Sequence, residues 1–305
     1  MGSIPPGSVG IFGKVPSQGD YLRAGALGSA ARAMDGWLAL GLDALKRGGG
    51  RLPPARFLFR SAEAKDVLVG ALVPSRDAVG REFPLAVVAT FGGAELVPGF
   101  AALPVALDAF FASGEAVLAG APAKKALELA DALRGVAPPV AAELGLALAG
   151  LRARFAATSA RALLDDGGLA GDVRAYALST FAAACQSARG TAAGKAAIVL
   201  DCPIRTPEMA CAWLDLARRL GGFADAPPSA FWTAERLLLG LGVASSAIVS
   251  ALSRPDAPPQ QVWPLHTRNA DAAARARQAL SPALRRVLDD PAATVEAVLS
   301  AAGGA

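Results

Sequence analysis

The sequence predicts an α/β protein built on a mixed, partly antiparallel β-sheet flanked by helices, with an alanine-rich helical insertion. Three observations carry this expectation. Apolar runs of strand length at 67–73, 83–91 and 196–200 contain no charge, as in strands covered on both faces. Between them, long stretches repeat apolar residues every three or four positions, the period of a helix. Finally, 53% of the 305 residues are hydrophobic and 18% charged. A chain of that length buries about three-quarters of its unfolded surface without disulfide or metal staples.

In chain order, residues 8–12 read as a short strand that leads through a Gly/Pro-rich loop, 13–20, into a helix. Leu27, Ala31, Met34, Leu38, Leu42 and Leu45 form its apolar stripe, and Gly48, Gly49 and Gly50 end it. Strands are expected at 56–60, 67–73 and 83–91. Their connections are too short for a helix, so the three pair as an antiparallel meander. The stretch 120–190 is predicted helical, with segments near 123–134 and 173–189 and a repeat at Val140, Leu144, Leu148, Leu151 and Phe155. A β-α-β-like part spans 195–265: a strand at 196–200, a helix capped by Thr206 and started by Pro207, then strands at 231–232 and 237–239. Met209, Trp213, Leu216 and Leu220 make that helix's apolar face, and Gly221 and Gly222 stop it. C-terminal helices are expected within 270–302, starting at Ser281-Pro282 and Asp290-Pro291. Pro255, Pro258 and Pro259 mark an exposed loop too short to separate modules, so 1–305 reads as a single domain.

Composition narrows the partners. The net charge is +4, and residues 1–100 hold 11 basic and 8 acidic side chains. No segment has the Lys/Arg density that tracks phosphates, so no nucleic-acid partner is expected. The N-terminal residues lack a charged region followed by an apolar one, and 237–253, though uncharged, is shorter than a span of roughly 20 residues. The expectation is a cytoplasmic protein with no stable membrane insertion. Cys185, Cys202 and Cys211 show no C-x-x-C spacing and read as buried thiols of a reducing compartment.

Catalytic constellations are not found. Gly13-Lys14 lacks both the upstream glycine and the following hydroxyl of a P-loop, and Gly194-Lys195 also lacks the hydroxyl. His266 is the one histidine and has no Gly-x-Ser-x-Gly elbow or ligand cluster to work with. Asp165-Asp166 and Asp289-Asp290 read as turn and cap residues. No cofactor or metal is expected, and the chain is read as a non-enzyme.

Two polar clusters stand out. The first runs from Gly10 to Arg23 and holds three glycines, a proline, Lys14, Asp20 and Arg23, a composition suited to a loop of special backbone geometry. The second, 74–85, is a polar hairpin between very apolar strands. Ser75 and Asp77 can bond local amides, Gly80 can take positive φ, and Arg81 can reach Asp20 or Asp77 in a bidentate pair. Such clusters serve either as a self-bonded structural turn or as a partner-binding surface.

In order and spacing the two clusters resemble the TagF (ImpM) family of type VI secretion-associated proteins. The first loop matches at Gly10, Phe12, Gly13, Lys14, Pro16, Gly19, Asp20, Tyr21 and Arg23. The hairpin matches at Pro74, Ser75, Asp77, Gly80, Arg81, Phe83, Pro84 and Leu85. Trp37, after Asp35, stands for the family's helix tryptophan, although Met34 replaces the first tryptophan of that motif. The match is best over 8–91. Phe231-Trp232-Thr233 is similar to a late family strand, and the alanine-rich middle is longer than the family pattern. The resemblance implies an α/β accessory protein that restrains type VI secretion after translation by binding an FHA-domain scaffold protein. The residues themselves leave open a small-ligand or nucleotide-binding switch or enzyme using Lys14, Asp20 and Arg81, or a structural subunit of the apparatus.

Overall fold

The computed structural model describes residues 7–25, 27–48, 50–62, 65–189 and 198–303. Gly49, the Gly190–Ala197 segment with its Gly194-Lys195 pair, and the chain ends fall outside those residues. The first strands, β1 (Ser8–Lys14) and β2 (Tyr21–Gly25), pair antiparallel, and α1 (Ser29–Gly48) follows. Next come β3 (Ala55–Arg60), β4 (Asp66–Val73) and β5 (Leu85–Gly92). Two short helices, α2 (Gly93–Leu96) and α3 (Leu103–Ala106), precede α4 (Asp108–Ala119), α5 (Ala126–Leu133), α6 (Ala141–Ala157), α7 (Ala160–Asp166) and α8 (Val173–Arg189). The chain then returns to the sheet with β6 (Val199–Pro203), α9 (Pro207–Gly221), β7 (Ser229–Trp232), β8 (Arg236–Gly240), α10 (Ala247–Ser253) and β9 (Val262–Pro264). It ends with α11 (Ala270–Ala279), α12 (Pro282–Asp289) and α13 (Val295–Gly303).

The described strands form one nine-stranded mixed sheet in the order β2-β1-β5-β4-β3-β7-β8-β6-β9. The meander β3-β4-β5 is antiparallel as expected. The period-two alternation then sorts side chains between two cores. Phe57 and Phe59 of β3, with Ala86 and Val88 of β5, face the side covered by α1 and α10. Leu58, Leu85, Val87, Ala89 and Phe91 face the opposite side. There α4 packs on β4 and β5, and α9 is tied to β6 by the Trp213 indole, which donates to the Pro203 carbonyl at 3.0 Å. Helices α8 and α13 pack in turn on α9. Both faces are therefore covered, which explains why these strands are apolar throughout rather than alternating. The alanine-rich helices are part of this layer: Leu144, Leu148, Leu151 and Phe155 of α6 belong to the same buried cluster as the β5 side chains.

Several boundaries differ from the sequence expectation. Residues 21–25 form a strand and Leu27 lies before α1, because β1 offers a free edge on which Leu22 points inward. Phe83 and Pro84 lie in the turn rather than in β5. The β-α-β-like reading is corrected: β7 and β8 form a hairpin, so β6 lies antiparallel to β8 and parallel only to β9. The last helix starts at Val295, not after Pro291. Asp290 Oδ1 accepts from the Ala292 amide at 2.8 Å in a turn at 291–292, and an antiparallel bridge between Ser159 and Thr294 delays the helix to Val295. The start of α9 is as read, with Thr206 Oγ1 accepting from Met209 N and Gly222 ending the helix at φ +66°.

The N-terminal and C-terminal strands share one core. Phe231 of β7 is fully buried, stacks on Phe57 at 5.4 Å between ring centroids, and meets Trp37 of α1 at 5.0 Å. Phe231→Ala is therefore expected to cost about 3–5 kcal/mol, read by urea unfolding as one shifted transition. Leu40→Ala, at a side chain 71% exposed, is expected to stay within about 0.5 kcal/mol. Two separate transitions in the Phe231 variant would show that the halves do not unfold together.

Candidate functional site

Sheet order places the two polar clusters side by side. Strand β5 pairs with β1 on one side and β4 on the other, with Phe12 opposite Ala86 and Val73 opposite Leu85. The turn that leaves β1 and the hairpin that joins β4 to β5 therefore emerge at the same end of three adjacent strands. Close backbone approach follows at Gly13. Its φ is +131°, and a Cβ there would lie 2.1 Å from the Pro84 carbonyl oxygen, which only glycine avoids.

At the centre is the Asp77 carboxylate, whose side chain has no solvent exposure. Lys14 Nζ lies 3.0 Å from Oδ2 and Arg81 Nε 2.7 Å from the same oxygen. Oδ1 accepts from the amides of Val79 at 3.2 Å and Arg81 at 2.8 Å. Burial opposes the charge of this carboxylate. The bonds from Lys14 and from the Arg81 amide and guanidinium outweigh burial and hold the carboxyl well below its ordinary range. Arg81 reaches across: its Nη2 donates to the Gly19 carbonyl at 2.6 Å. Two further bonds join the segments, from Ala78 N to the Gln18 carbonyl at 3.0 Å and from Ser75 Oγ to the Lys14 carbonyl at 2.7 Å.

Three expectations are revised by this geometry. Of the two carboxylates expected, Arg81 pairs with Asp77, and its guanidinium touches that carboxylate through Nε alone rather than in a bidentate fork. Ser75 bonds a carbonyl of the other cluster instead of a local amide. The Asp20 side chain is exposed and takes no hydrogen bond or ion pair among the described residues. Gly80 takes φ +88° as expected, in open space. The remaining motif residues build the support. Phe12 is buried under α1, and Gly10 sits in β1 between Gly25 and Val88. Phe83 meets Tyr21 edge-on at 5.4 Å between centroids, while Pro16 and Pro84 line a groove beside the hairpin. Trp37 packs between Phe59 and Phe231.

One element was missed in the sequence. Asp35 of α1 accepts from Tyr21 Oη at 2.6 Å and from Arg23 Nη2 at 2.5 Å, locking β2 to the helix. Burial, then Asp35, pushes the Tyr21 phenol far above its ordinary pKa. The two tyrosine-strand residues and Asp35 lie at no helical or strand spacing, so only folding brings them together.

Groups suited to chemistry lie elsewhere. His266 is exposed in a loop, and the three cysteines are buried free thiols. Burial pushes Cys185 up to about 12 and raises Cys202 and Cys211 as well, which disfavours the thiolate. Among the described residues no group of His, Cys, Asp or Glu is arranged to hold a metal ion. No single described helix is long and apolar enough to cross a membrane.

The fold and site thus define a mixed α/β protein whose distinguishing feature is a pair of interlocked polar turns. Residues 10–135 match the TagF N-terminal domain, Type VI secretion system-associated, so this part of the chain is a TagF-family domain. A solved structure, that of PA0076 from Pseudomonas aeruginosa PAO1, is similar at 27% identity over 44% of this chain, with a TM-score of 0.39. The match spans 64% of that protein's length. The search of curated proteins gives no match.

Two outcomes test the site. Asp77 sits well below its ordinary value of 3.8 in the folded chain, so its contribution to stability is complete above that value and is lost as pH falls through the depressed one. The gap in thermal midpoint between wild type and Asp77→Asn should stay constant from about pH 7 to 5 and close below about pH 4. A gap unchanged down to about pH 2.5 contradicts the pairing. Among the glycines, Gly13→Ala should cost more than about 4 kcal/mol because of the clash with Pro84. Gly80→Ala should cost about 1–2 kcal/mol for its left-handed backbone alone. Gly19→Ala, whose Cβ would meet nothing within 4 Å, should stay within about 0.5 kcal/mol. Urea titration ranks them.

Proposed function

We propose that this protein is a non-enzymatic accessory protein of type VI secretion, a negative regulator that acts after translation by binding an FHA-domain scaffold protein. The observation that supports this reading is the state of the charges in the two interlocked turns. Lys14 and Arg81 are both spent on Asp77, and among the described residues no group of His, Cys, Asp or Glu is arranged to hold a metal ion. A cation engaged by a buried carboxylate is poorly placed to bind phosphate or polarise a substrate. The bonds instead stiffen a surface. Above it stand Val79, 70% exposed, the outward part of Arg81, and Asp20. A rigid patch of one apolar and two charged groups suits recognition of another protein, because little conformational entropy is lost on contact.

The test is co-purification with the FHA scaffold of the same secretion system. Wild type should bind. Asp20→Ala and Val79→Asp alter exposed groups with no structural bond among the described residues, so both should keep the wild-type thermal midpoint and weaken binding about tenfold or more. Wild-type affinity in the double variant would remove this surface from the interaction. A wild-type protein that fails to bind the scaffold overturns the assigned role.

A further inference from the structure

We propose that the groove behind the arginine hairpin takes a short acidic segment with apolar anchors, supplied by a protein partner. This deepens the reading of the chain as a protein-binding regulator and rests on it. The groove, about 780 Å³, lies between the second half of α1, the stems of the 74–84 hairpin and the end of α4. Its floor is apolar: Leu42, Leu45, Leu52, Phe83 and Leu118 line it. Beside these apolar side chains the lining carries Arg51, Ser75, Arg76 and Glu82.

Charge complementarity selects the occupant. Arg51 and Arg76 line the groove, are exposed, and have no hydrogen-bonded or ion-paired side-chain partner among the described residues. One acid, Glu82, lines it. Two lining cations against one lining acid, beside apolar side chains, favour Leu, Val or Phe anchors flanked by Asp and Glu and disfavour a basic segment. Continuity with the contact face supports the same choice. The hairpin whose tip presents Val79 and Arg81 also supplies, through its stems, Ser75, Arg76 and Phe83 to the groove. A partner seated on the tip has the groove within reach of its neighbouring chain.

The probe is a displayed library of random peptides of about twelve residues, selected on the whole wild-type protein and counter-selected on Arg51→Glu/Arg76→Glu. Both substitutions are at exposed, unpartnered side chains, so the variant should keep the wild-type thermal midpoint. Enrichment of sequences with apolar residues bracketed by Asp or Glu is expected. An enriched peptide should lose at least about tenfold in affinity on the variant, and its binding should weaken with salt. No enrichment over the starting library, enrichment of basic sequences, or equal binding to wild type and variant overturns the proposal. The scaffold co-purification is run in parallel. A scaffold that binds while no acidic peptide is enriched defeats the groove alone. Acidic peptides enriched without scaffold binding support the groove and defeat the FHA assignment alone.

Discussion

A single buried carboxylate organises the end of the sheet that carries the sequence motifs. Asp77 has no solvent exposure, and an uncompensated charge in that position would be strongly destabilising. Compensation comes from both clusters, with Lys14 from the first and Arg81 from its own hairpin. The carboxylate therefore couples two turns far apart in sequence. Once it is placed, the other bonds follow in register: Arg81 to the Gly19 carbonyl, Ala78 to Gln18, Ser75 to Lys14. The Gly13 approach to Pro84 lets the backbones come close enough for these bonds to form.

That arrangement depends on the sheet beneath it. The order β2-β1-β5-β4-β3 gathers the strands of the family-matched part, and β3 pairs with β7 to continue into the C-terminal strands. Aromatic contacts reinforce this seam. Trp37 from α1, Phe57 and Phe59 from β3 and Phe231 from β7 form one cluster. The C-terminal part thus fixes the position of α1, and α1 in turn holds β2 through Asp35, Tyr21 and Arg23. Farther along, buried Asp215 of α9 holds Arg218 and Arg219, and Arg219 reaches Glu296 to dock α13. As at Asp77, one buried acid gathers two cationic side chains and joins elements.

Much of the fold was legible because it depends on local patterning. The charge-free runs of β4 and β5, the α6 repeat and the Thr206-Pro207 start of α9 each express a period or a cap that operates over a few residues. What was misread depends on partners. Strand β2 is five residues of mixed character that become a strand because β1 has an open edge. The β6 neighbourhood reads as a β-α-β unit because the sequence contains a strand, a helix and more strands; whether the next strand lies beside β6 or one place away is a matter of sheet order. Helix α13 starts late because Thr294 pairs with Ser159, a residue of the α6–α7 turn.

The candidate site divides in the same way. The sequence by itself determined that Gly10–Arg23 and the 74–85 hairpin are special, that Gly80 takes positive φ, that Asp77 bonds nearby amides, and that the chain resembles the TagF family. Those properties reside in residue type and short-range spacing. Only the tertiary structure decided that Arg81 chooses Asp77 over Asp20, that Lys14 shares the same oxygen, and that Trp37 is spent on packing. Charge pairing across some sixty residues of chain is set by which strands lie side by side, and strand order is an outcome of burying two apolar faces at once, a quantity no local stretch of sequence contains.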